Sequence, residues 1–175
     1  WMMWLKRSLS MDSQIQIFDN FLNETDFNKL EKLLLAPDNF PYYFTNYKVI
    51  VGDNFPQFTH KFYNDNNINS NFYNELNCIL EKINPISLIK IKANLQIKDT
   101  MVRKTKMHQD FQNPLDNQKT GIFYMNTNNG KTIFEDGEEI DSLANRMVIF
   151  PASKLHAGTT HTDVNYRCVI NFNWF

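Results

Sequence analysis

Four residues of this chain are of the types that hold a divalent metal or an anion, and their order lets them act together: His108, Asp110, His156 and Arg167. His108 and Asp110 are two positions apart, so on an extended strand both side chains leave the same face. An imidazole beside a carboxylate is a poor structural staple and a good half-site for a divalent metal. Two histidines and one carboxylate form the facial triad that holds non-haem Fe(II) while leaving coordination positions open. His156 follows the apolar run 147–150 and is the natural third ligand. Arg167 opens the alternating segment 167–172.

The remaining histidines need a reading of their own. His161-Thr162-Asp163 is a second His-x-Asp pair, but no histidine follows it to complete a triad. It reads as a surface-loop accident. His60 lies in an aromatic-rich stretch and reads as a packed or surface histidine, not a ligand.

The order His-x-Asp, a long gap, His, then a basic residue about ten positions on resembles the 2-oxoglutarate- and Fe(II)-dependent oxygenases. The likeness is to their prolyl-4-hydroxylase-like branch and its small phage-encoded members. It covers residues 15–175 and is most specific from residue 90 onward. The resemblance implies Fe(II) held by His108, Asp110 and His156. It implies 2-oxoglutarate as cosubstrate, chelating through its C1 carboxylate and 2-oxo group, with ascorbate as an optional reductant. The far carboxylate of the cosubstrate would need a buried cation, and Arg167 offers a planar bidentate fork for it. Tyr124 stands where these enzymes place a tyrosine hydroxyl on the same carboxylate. Relatives often carry a further tyrosine near Gln96, which is missing here. Because Asp110 is present, the implied outcome is hydroxylation of an unactivated C–H bond, with release of succinate and CO2. A peptidyl residue such as proline, or a small molecule, is the implied substrate. Two other readings are a cupin-like protein that holds a metal without turnover and a jelly-roll metalloenzyme that uses no 2-oxoglutarate. Arg167 and Tyr124 speak against both.

Composition sets bounds on this. The chain has 175 residues and a formal net charge of −1, which offers no footprint for nucleic acid or an anionic membrane. Two cysteines make neither a disulfide framework nor a zinc cluster, and the usage suits a reducing cytoplasm, that of a host cell if the source is viral. No run of about twenty apolar residues suggests a membrane span. Residues 1–10 read as an extension upstream of Met11, disordered or not native, and residues 11–175 as a single domain.

The elements that must position the site point to a mainly β (α+β) chain, a double-stranded β-helix or jelly roll with N-terminal supporting helices. Residues 14–18 alternate as a strand. Asn23 can cap a helix to residue 35, with Phe27, Leu30, Leu33 and Leu34 on one face and Pro37 as its stop. The aromatic stretch 40–63 fits irregular strand packing better than a lid, and the Asn-rich stretch 64–71 reads as a loop. Residues 72–83 form a second amphipathic helix ended by Pro85. From residue 86 the period switches to two. Ile89, Ile91, Ala93, Leu95 and Ile97 alternate with a polar face on which Asn94 and Gln96 are candidate pocket residues. Asn128-Asn129-Gly130 is a hairpin-turn signal, Asp136-Gly137 another, and residues 145–151 form the strand that delivers His156. At least six strands with short turns leave no room for crossover helices, so the sheets are antiparallel.

Overall fold

The computed structural model describes residues 14–36, 40–49 and 51–175; the extension, the start at Met11 and the stop at Pro37 lie outside the described residues. A short strand β1 (Gln16–Phe18) leads to Asn23, whose side-chain oxygen accepts from the Asp26 amide and starts α1 (Glu24–Leu35). Phe27, Leu30 and Leu34 form its buried face, while Leu33 is only half-buried. Strands β2 (Tyr43–Thr45), β3 (Gln57–Asn64) and β4 (Asn67–Ile68) follow. The Asn-rich stretch is therefore partly a hairpin and not a plain loop. Asp65 and Asn66 both adopt positive φ, 52° and 61°, which short polar side chains tolerate and which a two-residue turn requires.

The second helix also departs from expectation. Its first turn is a 3₁₀ turn (Tyr73–Leu76), because the amides of Tyr73 and Glu75 bond to carbonyls three residues back. Only α2 (Asn77–Ile83) is α-helical, and Asn84 ends it in the left-handed region at φ 43°, one residue before Pro85.

Seven strands complete the chain: β5 (Leu88–Ile97), β6 (Lys119–Tyr124), β7 (Asn128–Phe134), β8 (Glu139–Ser142), β9 (Arg146–Pro151), β10 (His156–Gly158) and β11 (Tyr166–Trp174). The large sheet runs β1-β9-β6-β11-β5-β3-β2, with β4 on β3, and the small sheet runs β10-β7-β8. Every pairing is antiparallel, and isolated bridges join Lys104 to Thr159 and His108 to His156 at the edge of the small sheet. From β6 onward the chain passes back and forth between the two sheets, as a jelly roll does.

Alternation decides which sheet face meets what. On β6, β9 and β11, Phe123, Met147 and Ile170 pack outward with Leu30, Leu34 and Ile79 of the helices. Ile122, Tyr124, Val148 and Val169 point inward and meet Phe134 and Ile140 of the small sheet. Each such fully buried large side chain contributes about 1.5–3 kcal/mol. The helices thus brace the outside of the large sheet and leave the space between the sheets for the site.

The Asn-Gly signal belongs to no hairpin. Asn128 and Gly130 lie inside β7, and β6 pairs with β9 and β11 while β7 pairs with β8 and β10. Glycine is used there for space, not for a turn: a Cβ on Gly130 would sit 2.9 Å from Arg167 Cδ and 2.8 Å from Asn128 Oδ1. Asp136-Gly137 does form the β7–β8 turn, with Gly137 at φ 88°. Among the described residues no helix is long and apolar enough to cross a membrane.

Candidate metal centre

His108 and His156 face each other as a hydrogen-bonded antiparallel pair, with each amide donating to the other's carbonyl at 2.9 and 3.0 Å. Directly opposed residues project to the same side of a sheet, so the two rings stand together, their centroids 4.6 Å apart. Asp110, two residues beyond His108, completes the group: one ligand atom from each of the three lies within 4.8 Å of the others.

Hydrogen bonds orient all three side chains. His108 Nδ1 lies 3.2 Å from the Lys106 carbonyl and His156 Nδ1 lies 3.3 Å from the Lys154 carbonyl. A carbonyl can only accept, so each Nδ1 donates and each Nε2 keeps its lone pair free. Both Nε2 atoms face Asp110 Oδ1, at 3.9 and 4.0 Å. The other carboxylate oxygen, Oδ2, accepts from Asn173 Nδ2 at 2.7 Å, and Asn173 also donates to Thr120 Oγ1. One oxygen is therefore tied back and one is presented.

The electrostatics favour metal-ready protonation states. Burial, with His156 close by, pushes the His108 imidazolium down to about 4, against the opposing pull of Asp110. Burial likewise lowers His156. Burial by itself would raise the Asp110 carboxyl, but His156, Lys90 and the Asn173 hydrogen bond outweigh it and hold the group below its usual range. Neutral imidazoles beside an ionised carboxylate are the forms that ligate.

His108 and His156 of the triad open on a cavity between the sheets. Asn94 and Gln96 line it, on the inward face of β5 that alternation assigns them. Arg167 lines it from β11 and is 4% exposed. Its Nε donates to Ser142 Oγ at 3.0 Å, and among the described residues no carboxylate pairs with it. Tyr124 does not line the cavity. It is wholly buried one layer behind, its hydroxyl 2.7 Å from Thr132 Oγ1, and the Arg167 guanidinium lies over its ring. Thr132 is the residue that reaches the cavity.

Lys48, from the loop between β2 and β3, escaped the sequence reading. Its ammonium enters the cavity and donates to Gln96 Oε1 at 3.1 Å. Burial and the nearby Arg167 lower its pKa to about 7. No local pattern marks a loop lysine as inward-facing. Asn173 was also missed, although a signal existed: Arg167, Val169, Asn171 and Asn173 share one face of β11 by simple alternation.

The second His-x-Asp pair is divided: Asp163 is exposed, but its histidine is not. His161 is wholly buried, and neither ring nitrogen has a partner. Among the described residues the metal-competent group is His108, Asp110 and His156, and His161 is outside it. His60 is packed between the Pro41 carbonyl and Ser70 Oγ, both at 2.7 Å, amid Phe40 and Phe62. The aromatic stretch is divided: Phe40 and Phe62 pack inside, while Tyr43 and Phe44 are exposed.

No family model matches the sequence, and no curated protein does. Solved structures do. An oxidoreductase of the 2OG-Fe(II) oxygenase family from Burkholderia pseudomallei superposes with a TM-score of 0.69 at 10% identity, covering 91% of this chain and 84% of that one. A prolyl hydroxylase from Trichoplax adhaerens, solved with a hypoxia-inducible-factor peptide fragment, gives 0.67 at 15% identity, covering 95% and 85%. The epimerase SnoN in complex with Fe3+, α-ketoglutarate and nogalamycin RO gives 0.64 at 11% identity, covering 94% and 79%. The chain has the double-stranded β-helix fold of the 2-oxoglutarate- and Fe(II)-dependent oxygenases.

Proposed function

We propose that the protein is a 2-oxoglutarate- and Fe(II)-dependent dioxygenase that hydroxylates an unactivated C–H bond. One observation carries the reading. One cavity is lined by the two histidines of a metal-competent His-Asp-His group and by a buried guanidinium that has no carboxylate partner among the described residues. A cation buried without a counter-ion is costly, so a site that keeps one is built for an anion. A metal-binding cupin without turnover has no use for Arg167 and Lys48 in that cavity.

The residues fit the absent groups. His108 Nε2, His156 Nε2 and Asp110 Oδ1 would hold Fe(II), and Arg167 would take the far carboxylate of 2-oxoglutarate with Thr132 and Lys48 beside it. Bound iron and 2-oxoglutarate supply the oxidising power that converts dioxygen and a C–H bond into an alcohol, with succinate and CO2 released. The chain's own contribution is orientation. Asn173 fixes the carboxylate, and two backbone carbonyls fix the imidazole tautomers. Tyr124 supports Arg167 and Thr132 from behind. Asn94 and Gln96 offer the polar lining.

The peptide carried by the Trichoplax adhaerens neighbour supports a peptidyl substrate. The exposed aromatic rings of Tyr43, Phe44 and Tyr47 near the Lys48 loop would suit a peptide or an amino-acid-like molecule. Adding Fe(II) and 2-oxoglutarate without oxygen tests the class: a visible metal-to-ligand charge-transfer band is expected, and succinate should form once oxygen is admitted. Failure to bind iron, or iron binding that 2-oxoglutarate does not alter, would refute it. A proline-containing peptide library scanned for gain of one oxygen tests the substrate.

A further inference from the structure

The inward face of β5 continues past Gln96 and Asn94 to Lys92 and Lys90, and the strand pairings give each residue a level along the cavity. Gln96 is opposite Arg167, Asn94 opposite Val169, Lys92 opposite Asn171 and Lys90 opposite Asn173. Asn173 holds Asp110, so Lys90 stands at the level of the metal ligands, and the Arg167 end is three steps away along the strand. Lys61 of β3 pairs with Lys92 across the sheet and projects to the same side. Three lysines thus gather beside the triad, at the opposite end from the guanidinium.

Asp110, itself a metal ligand, is the acid that faces them. Among the described residues none of the three makes an ion pair, and Asp110 is the one carboxylate whose field reaches Lys92. Lys90 instead rests over the ring of Phe111, 5.5 Å from its centroid. Lys92 is half-buried, and burial together with Lys90 lowers its pKa to about 8, against Asp110. Asn171, opposite Lys92, lines the cavity with a carbonyl oxygen that has no partner. Like charges held together repel one another, and a fold that keeps three of them beside one carboxylate gains when an anion arrives. The formal net charge of −1 hides this local excess.

Taking the oxygenase reading as its basis, we infer that the primary substrate carries an anionic oxygen group, carboxylate or phosphate, which Lys90, Lys92 and Lys61 hold beside the metal. The cosubstrate's own carboxylate goes to the other end, so the two anions do not compete. The charge also orients the substrate, directing its neutral part over the triad.

The test uses the whole chain loaded with Zn(II) and N-oxalylglycine, which fill the metal and cosubstrate positions without turnover. Phenylacetate, phenyl phosphate and neutral benzyl alcohol are then titrated by saturation-transfer NMR. At least one anion should bind, benzyl alcohol should not, and the preferred anion tells carboxylate from phosphate. Lys92→Gln and Lys90→Gln should each weaken binding about tenfold, the loss of one charge-assisted hydrogen bond. Lys92→Arg should retain it, which separates a charge effect from misfolding. Absence of anion binding at millimolar concentration, equal binding of benzyl alcohol, or indifference to the Gln variants would overturn the inference. Failure to load zinc would count against the metal centre instead, since the lysines can be titrated without it.

Discussion

Arg167→Met should separate ligand binding from stability, moving the two in opposite directions. In the ligand-free protein Arg167 Nε is satisfied by Ser142, and the terminal guanidinium nitrogens have no acceptor among the described residues. Two charge-assisted hydrogen bonds to a carboxylate are worth about 1.5–3 kcal/mol each, so their loss removes about 3–6 kcal/mol. With 4% of the residue exposed, water replaces little of this, but Lys48 stays in the same cavity and keeps part of the attraction. The lower half of the range applies, about 3–4 kcal/mol, or an affinity for 2-oxoglutarate reduced about 150- to 900-fold. Methionine fills the space of the arginine stem while removing a buried, uncompensated charge. The ligand-free variant should therefore be as stable as the parent or more stable by about 1–2 kcal/mol. Anaerobic titration of the charge-transfer band gives the affinity, and urea denaturation of the ligand-free form gives the stability. Unchanged affinity with stability lowered by more than about 2 kcal/mol would refute the reasoning, because Arg167 would then be a structural cation.

Three further outcomes follow from the same geometry. His108→Ala, Asp110→Ala and His156→Ala should each abolish iron-dependent decarboxylation of 2-oxoglutarate, whereas His161→Leu, in a buried site without hydrogen bonds, should keep it; succinate assays decide, and the reverse pattern would mean the metal lies elsewhere. Asn173→Ala should weaken iron binding about 10- to 100-fold by freeing Asp110 Oδ2, measurable by chelator competition, and an unchanged affinity would remove Asn173 from any positioning role. All four histidines are held below their ordinary pKa chiefly by burial, His108 at about 4, so the metal-free folded state binds fewer protons than the unfolded chain between about pH 4 and 6.5. Its stability should therefore fall as pH drops through that window, by about 3 kcal/mol at most from His108, and a flat urea midpoint between pH 7 and 5 would contradict this.

What could be read from the chain beforehand was whatever a short-range period encodes. The alternation in β5 assigns Asn94 and Gln96 to the inward face, and they line the cavity. The Asn23 cap and the apolar stripe behind it locate α1 to the residue. Signals with two physical causes were misread. Asn-Gly suggests a turn because glycine permits positive φ, yet Gly130 is there because any side chain would collide with Arg167. His161 does lie in a loop, but its polar neighbours suggest the surface, and only the tertiary fold buries it. Lys48 depends on where a loop comes to rest, which no periodicity records.

The loop carrying Lys48 is braced by its own acid: the Asp53 carboxylate accepts from the amides of Lys48, Val49 and Phe55. That brace holds the ammonium in the cavity even though burial and Arg167 have brought its pKa to about 7, with Asp53 opposing them. Near neutrality the empty protein is thus a mixture of protonated and neutral lysine. An anion entering beside Lys48 favours the charged form, so binding near neutrality draws protons from solution, and fewer as the pH falls. Calorimetry should see this as a binding enthalpy that shifts with the ionisation enthalpy of the buffer, a dependence that Lys48→Met removes and that would otherwise place the proton on some other group. The cosubstrate site would then be a proton acceptor as well as an anion hole, and its affinity would rise as the surroundings acidify toward the point where the histidines begin to charge.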